Sequence, residues 1–272
     1  MYKYNQVHFQ KLLEVYDTDF HKLELSFGSQ KDPNTFRKHL LTLDNKLLND
    51  RYKDHLQQKF DHKEISIKEL KDYCRSNNET IRKLICIMAW GGMKEHQFMM
   101  CMTGSKLHKH KIEKTYQPKD RYKIKEYDDL THICEKMNYT YKNKLDRSSI
   151  YNSFATLNLY QCGPAYFTKL MFFMSHLAEP CFIMDQWTAR SINLLVDKQL
   201  ITMRKSKNPS PSKEGNSGKI YNTFCQVIED LSKKITEIKK PRTISPEDVE
   251  QLIFSRGGKK NKLEWRKYVE TY

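Results

Sequence analysis

One stretch constrains this chain more than any other: two apolar helical segments joined through Gly163-Pro164, then a short apolar run ending on Asp185. Residues 157–169 read Leu-Asn-Leu-Tyr-Gln-Cys-Gly-Pro-Ala-Tyr-Phe-Thr-Lys. Proline suits the first turn of a helix, where its missing N–H costs nothing. Beyond it Phe167, Leu170, Met171 and Met174 fall at i, i+3, i+4 and i+7, a stripe that faces a core. Pro180 stops this helix, and Cys181-Phe-Ile-Met184 delivers Asp185 to the mouth of a third helix, Gln186 to Val196. A tight glycine turn between helices exposes N–H groups at a helix start, a natural phosphate cradle. By itself an Asp before a helix reads as an N-cap. Capping leaves room for chemistry, because the helix dipole and the N–H donors keep such a carboxylate ionised.

The remaining chain reads as further helices. Residues Val7–Val15 carry Phe9, Leu12 and Leu13, and Phe36–Leu48 carry Leu40, Leu41, Leu43 and Leu47, with Gly28–Pro33 as a turn between them. Leu23–Phe27 is a candidate short strand. Ser66 and Glu69 have capping-box spacing. Glu79–Ala89 places Ile81, Leu84, Ile85 and Met88 on one face, and Trp90-Gly91-Gly92 follows. Trp90 either lines a base pocket, with Trp187 as its partner candidate, or packs as an aromatic over a helix C-cap. Asp129–Lys144 reads as one helix, and Asp146 or Ser148 caps the next. The polar stretch Arg204–Gly218 is expected to be a mobile linker. Tyr221–Ile238 and the segment opened by Ser245-Pro-Glu-Asp complete the helices, with Trp265 and Tyr268 pinning the tail. No repeat and no alternation of strand with helix occurs, so the expected fold is all-α.

Composition narrows the partner. The net charge is +15, and residues 106–127 interleave cations with tyrosines, among them Lys109, Lys111 and Arg121. That mixture suits phosphate contact and base stacking, against the plainer reading of a solvated face. Seven cysteines at wide, irregular spacing argue for a reducing compartment and fit no metal pattern. No apolar run approaches the roughly 18 residues of a membrane span, and the N-terminus has no signal-peptide core. A cytoplasmic monomer is expected.

At residues 157–185 the chain resembles the helix-hairpin-helix plus Gly/Pro/Asp motif (HhH-GPD) of base-excision DNA glycosylases, closest to the 8-oxoguanine-glycosylase-like branch. The hairpin corresponds to Leu159–Gly163, with Gln161 in place of its first glycine, and the catalytic Asp corresponds to Asp185. Twenty residues separate Ala165 from Asp185, near the family spacing. The stretch Ser245–Ser255 carries a looser likeness. The resemblance implies a single two-lobed helical unit, with about 70–195 as one lobe, 1–69 and 196–272 as the other, and the site in the cleft between them. It implies that Gln161, Cys162, Gly163, Ala165 and Lys169 lie along DNA. It also implies that carbonyls of Leu157, Leu159 and Cys162 hold a monovalent cation. No cofactor is required. The clustered C-terminal cysteines of the iron–sulfur members are missing, so no such cluster is expected.

The chain departs from that family at Ala165, where bifunctional members carry the Lys that forms a Schiff base and helps recognise oxidised guanine. Lys169, one turn on, projects on nearly the same face. The expected activity is therefore hydrolysis alone: a modified base is flipped out of double-stranded DNA and excised, leaving an abasic site. Breaking the N-glycosidic bond builds positive charge on the sugar, which a fixed Asp185 carboxylate stabilises. The missing Lys, the Lys/Tyr insert and a likeness to bacterial glycosylases of phage defence point to a hypermodified base such as glucosylated hydroxymethylcytosine. Repair of 8-oxoguanine or another damaged base is the alternative. A non-catalytic module using the hairpin only for phosphates is the other.

Overall fold

The computed structural model describes residues 2–23, 34, 66–76, 80–93, 97, 146–156, 162–175, 179–206, 209–254 and 263–272. Among them nine α-helices carry the regular structure, and the sole β pairing is an isolated bridge between Met203 and Pro211. The helices are α1 (Gln6–Leu23), α2 (Ile67–Ser76), α3 (Thr80–Trp90), α4 (Arg147–Thr156), α5 (Pro164–Met174), α6 (Gln186–Leu195), α7 (Gly218–Ile238), α8 (Pro246–Phe254) and α9 (Glu264–Glu270). The all-α expectation holds. No described helix is long and apolar enough to cross a membrane.

Local sequence explains most boundaries. Ser66 and Glu69 exchange backbone and side-chain hydrogen bonds of 2.7 and 3.2 Å at the start of α2, the reciprocal cap their spacing predicts. Ser245 and Asp248 do the same for α8 at 2.9 and 3.1 Å. Asp146 is the cap of α4, accepting the Ser149 N–H at 2.7 Å. Gly92, at φ 72°, takes the left-handed position that ends α3 and that glycine occupies without steric cost.

Two expectations are corrected. Leu23 closes α1 instead of opening a strand, and residues 24–27 of the expected strand lie outside the described residues. The stretch expected to be a mobile linker is folded over its described part. Asn216 is buried and donates to the carbonyls of Thr202 (2.8 Å) and Ser212 (2.6 Å) while accepting the Thr202 N–H (3.0 Å). A polar composition hides this, since the loop is held by amide hydrogen bonds and not by apolar burial. The expected helices 36–48 and 129–144 and the basic stretch 106–127 lie outside the described residues.

α5 is buried on nearly every side and packs against α2, α3 and α4. α6 packs against α1, α8 and α9, while α7 binds α4 to α8. The apolar run from Cys181 to Met184 joins α5 to α6 and is itself wholly buried. With no sheet or helix of its own, its backbone must find partners elsewhere. Phe182 is matched twice by the Tyr221 hydroxyl, which accepts its N–H (3.2 Å) and donates to its carbonyl (2.8 Å). The Ile183 N–H donates to Glu250, and the Met184 N–H to Thr168 Oγ1 at 3.0 Å. Arg147, buried and paired with Glu229 at 2.6 Å, donates to the Pro180 carbonyl at 2.9 Å. Side chains from α4, α5, α7 and α8 therefore hold this run, and with it the position of Asp185.

Candidate active site

Asp185 is the N-cap of α6. Its Oδ1 accepts the N–H groups of Trp187 (2.7 Å) and Thr188 (3.0 Å), and the Asp185 N–H donates to Thr188 Oγ1 at 3.0 Å. Thr188 Oγ1 also donates to the Ile183 carbonyl at 2.7 Å, locking the cap to the incoming chain. Every hydrogen bond that the described residues make to this carboxylate falls on Oδ1. Oδ2 takes none from the described residues, so among them the cap engages one oxygen of the carboxylate.

Lys169 lies behind it. A helical side chain leans toward the N-terminus of its helix. The Lys169 chain does so, and its Nζ donates to the Ala165 carbonyl at 2.7 Å. The amine thus sits one turn back, against the residue where bifunctional glycosylases carry their lysine. Tyr166 offers its ring 5.0 Å away. Gly91, just past α3, packs against the lysine stem, where a Cβ would meet Cδ at 2.8 Å. Burial pushes the Asp185 carboxyl above its ordinary value, opposed by the Lys169 charge and the N–H donors of Thr188 and Trp187. Burial likewise pushes the Lys169 amine down, opposed by Asp185. The cap and the Lys169 charge favour the ionised form, and desolvation works against them.

Glu250 is a third titratable group in this region. It accepts the Ile183 N–H, and burial pushes its carboxyl up to about 8. Around Trp187 two guanidinium groups gather, Arg266 3.8 Å and Arg190 5.2 Å from the ring centroid. With the Gln186 amide oriented to satisfy its neighbours, its oxygen accepts the Trp187 indole N–H at 2.9 Å. Trp187 thus has one face covered by Arg266. Trp90 is buried and meets Phe173 edge-on at 4.9 Å.

At the hairpin, Gly163 is the N-cap of α5 and contributes no side chain to the first amides. Among the described residues, a Cβ built on Gly163 meets nothing within 4 Å. Cys162 is buried. Leu157, Leu159 and Gln161 lie outside the described residues, as do Lys109, Lys111 and Arg121. The structure thus brings together Asp185, Lys169, Ala165 and Trp187, with Gly163 at the start of the same helix as Lys169.

Several groups of the site were not singled out from the sequence. Thr188 stands three residues after Asp185, a capping spacing with Thr in place of the usual Glu. Glu250 adjoins the apolar stripe of Val249, Leu252 and Ile253, a buried carboxyl written into a helix face. Arg147 and Arg266 had no local signal, since their partners are 33 to 82 residues away or across helices.

An all-α fold that carries a glycine-capped helix, a pinned apolar run and a half-engaged carboxylate at the next helix start is that of the HhH-GPD glycosylases. Residues 35–254 match the family described as "Putative 8-oxoguanine DNA glycosylase OGG-like protein". The chain belongs to this OGG-like DNA glycosylase family. No curated protein and no solved structure matches it.

Proposed function

We propose that this chain flips a modified nucleotide out of double-stranded DNA and hydrolyses its N-glycosidic bond, with Asp185 as the catalytic carboxylate. The observation that carries this reading is the division of labour within Asp185: Oδ1 is spent on the helix cap and Oδ2 is not. As the bond breaks, its electron pair leaves with the base, which takes up a proton, and positive charge builds on the sugar. A fixed Oδ2 stabilises that charge and orients the attacking water toward C1′. A helix start capped by Gly163, with no side-chain cap, suits a backbone phosphate beside the extruded nucleotide. Carbonyls of Leu157, Leu159 and Cys162 would hold a monovalent cation at the hairpin.

The favoured base is a hypermodified one of phage DNA, such as glucosylated hydroxymethylcytosine. Ala165 and the Lys/Tyr stretch 106–127 support it, since the family's lysine also recognises oxidised guanine. The family's description favours the alternative, excision of 8-oxoguanine. Incubating wild type and Asp185→Asn with phage DNA, host DNA and an 8-oxoguanine duplex, followed by mass spectrometry of released bases, separates these readings. Wild type should release the hypermodified base, while Asp185→Asn binds DNA and loses at least about a hundredfold in rate. Release of 8-oxoguanine alone moves the substrate to repair. Binding without any release leaves a DNA-binding module.

The position of the Lys169 amine against Ala165 favours a second reading, in which that amine attacks C1′ and forms a Schiff base. Under the hydrolytic reading the product strand stays intact until heated with alkali, and borohydride traps no adduct. A borohydride adduct formed by wild type and not by Lys169→Ala assigns the chemistry to the amine.

A further inference from the structure

Past α6 the chain turns back toward the candidate site. Asp197, at φ 52°, takes the left-handed conformation that aspartate tolerates, and the residues after it return along the helix they have left. Two amides of α6 receive them. Asn193 donates to the Ile201 carbonyl and accepts the Ile201 N–H, both at 2.8 Å. Gln186 lies about two turns nearer the helix start. In the orientation that satisfies its neighbours, its amide donates to the Pro209 carbonyl at 3.2 Å. Between these anchors the segment pairs with itself. The Ser212 N–H donates to the Thr202 carbonyl at 2.9 Å, Met203 bridges to Pro211, and the Arg204 N–H donates to the Ser210 carbonyl at 2.8 Å. With Asn216 holding Thr202 and Ser212, the result is a short finger. Its base is tied near the end of α6, and its far end reaches Gln186, the residue after Asp185.

The finger is basic. Residues 204–207 read Arg-Lys-Ser-Lys, and no acid stands between Asp197 and Glu214. Arg204 and Lys205 are exposed. Glu214, which feels the Arg204 charge, accepts the Ser212 hydroxyl at 2.6 Å. We propose that this finger is a DNA-contacting element that lays Arg204 and Lys205 against backbone phosphates beside the extruded nucleotide; this rests on the glycosylase reading of Asp185. Placing the sugar at Asp185 puts the flanking phosphates at the start of α6, where the finger ends. Cations set against phosphates release the counterions of the duplex, and such contacts fix its position without reading bases. A finger already folded against α6 also loses less conformational freedom on binding than a loose linker of the same charge.

The test is the salt dependence of binding to a duplex holding a tetrahydrofuran abasic-site analogue, which keeps the phosphates and lacks the base. The double variant Arg204→Gln/Lys205→Gln should weaken binding at least about tenfold and lower the slope of log Kd against log salt by about one to two. Each single variant should lose part of both, so the result does not hang on the folding of the double variant. Lys233→Gln/Lys240→Gln removes the same charge from exposed positions along and just past α7 and should lower the slope by less than half as much. A methylphosphonate scan of the duplex with wild-type protein should find sensitive phosphates within about three nucleotides of the analogue. The double variant should lose nothing further at those phosphates. An unchanged slope overturns the finger, as does an equal loss in the α7 variant or an unaltered scan. So does slowed excision with intact abasic-duplex affinity, which would make the finger a base contact. The glycosylase reading fails separately, on an active Asp185→Asn, and that outcome leaves the slopes as they are.

Discussion

Asp185 and Lys169 are coupled through opposite needs. Each is buried, each loses solvation when charged, and each charge stabilises the other. The proposed mechanism uses an ionised Asp185, so under it excision should fall on the acid side of a limb lying above the ordinary aspartate range. The Lys169 charge pulls the carboxyl down, so Lys169→Met should move that limb to higher pH while the alkaline side keeps at least partial activity. A profile of kcat/KM against pH for the two proteins measures this. A limb that stays in place, or moves to lower pH, means that Lys169 carries no charge when Asp185 works. Asp185→Asn, with no carboxylate left to ionise, should show no acid limb in any residual rate.

At the scale of helices, two glycines that look alike in sequence do opposite things. Gly163 caps α5, and a Cβ there meets none of the described residues, whereas a Cβ on Gly218 would strike the Ser148 backbone where α7 starts against α4. Gly163→Ala should therefore leave thermal stability within about 2 °C and weaken binding to any duplex, since phosphate contacts carry no base information. Gly218→Ala should lower stability by about 2 kcal/mol or more, because the atom it meets is backbone and cannot turn aside. Thermal denaturation and duplex titration of both variants check the pair, and a Gly163→Ala protein with intact affinity removes the hairpin from the DNA surface. Capping rules located α2, α4, α5, α6 and α8, and helical period located their buried faces, because both signals lie within a few residues. Asp185 was legible as an N-cap for the same reason, while its candidacy for catalysis came from the family resemblance. The grip on residues 180–184 was not, because Arg147, Tyr221 and Glu250 reach it from other helices, and sequence spacing carries no trace of such a meeting.

Over the whole molecule, the same burial that aims Asp185 makes stability depend on pH. Glu250 accepts the Ile183 N–H in the interior, and its carboxyl rises from the ordinary 4.5 to about 8. Below pH 4.5 both folded and unfolded chains hold this proton, so the group contributes no slope there. Between 4.5 and 8 the unfolded chain has released it and the folded chain has not, so stability falls as pH rises. Above 8 both are ionised and the loss is complete. Asp185 adds a slope of the same sign, and Lys169 one of opposite sign, so wild type alone would not isolate Glu250. The difference between Glu250→Gln and wild type does. Glutamine keeps an acceptor oxygen for Ile183 and has no proton to lose. Its melting temperature relative to wild type should rise from pH 5 to pH 8 by at least about 4 °C, the scale of one pKa unit in a chain of this size. The gain should level off above pH 8. A constant difference across that range would mean that the Glu250 carboxyl titrates alike in the folded and unfolded chains, and that its hold on residue 183 is that of an ordinary ionised acceptor.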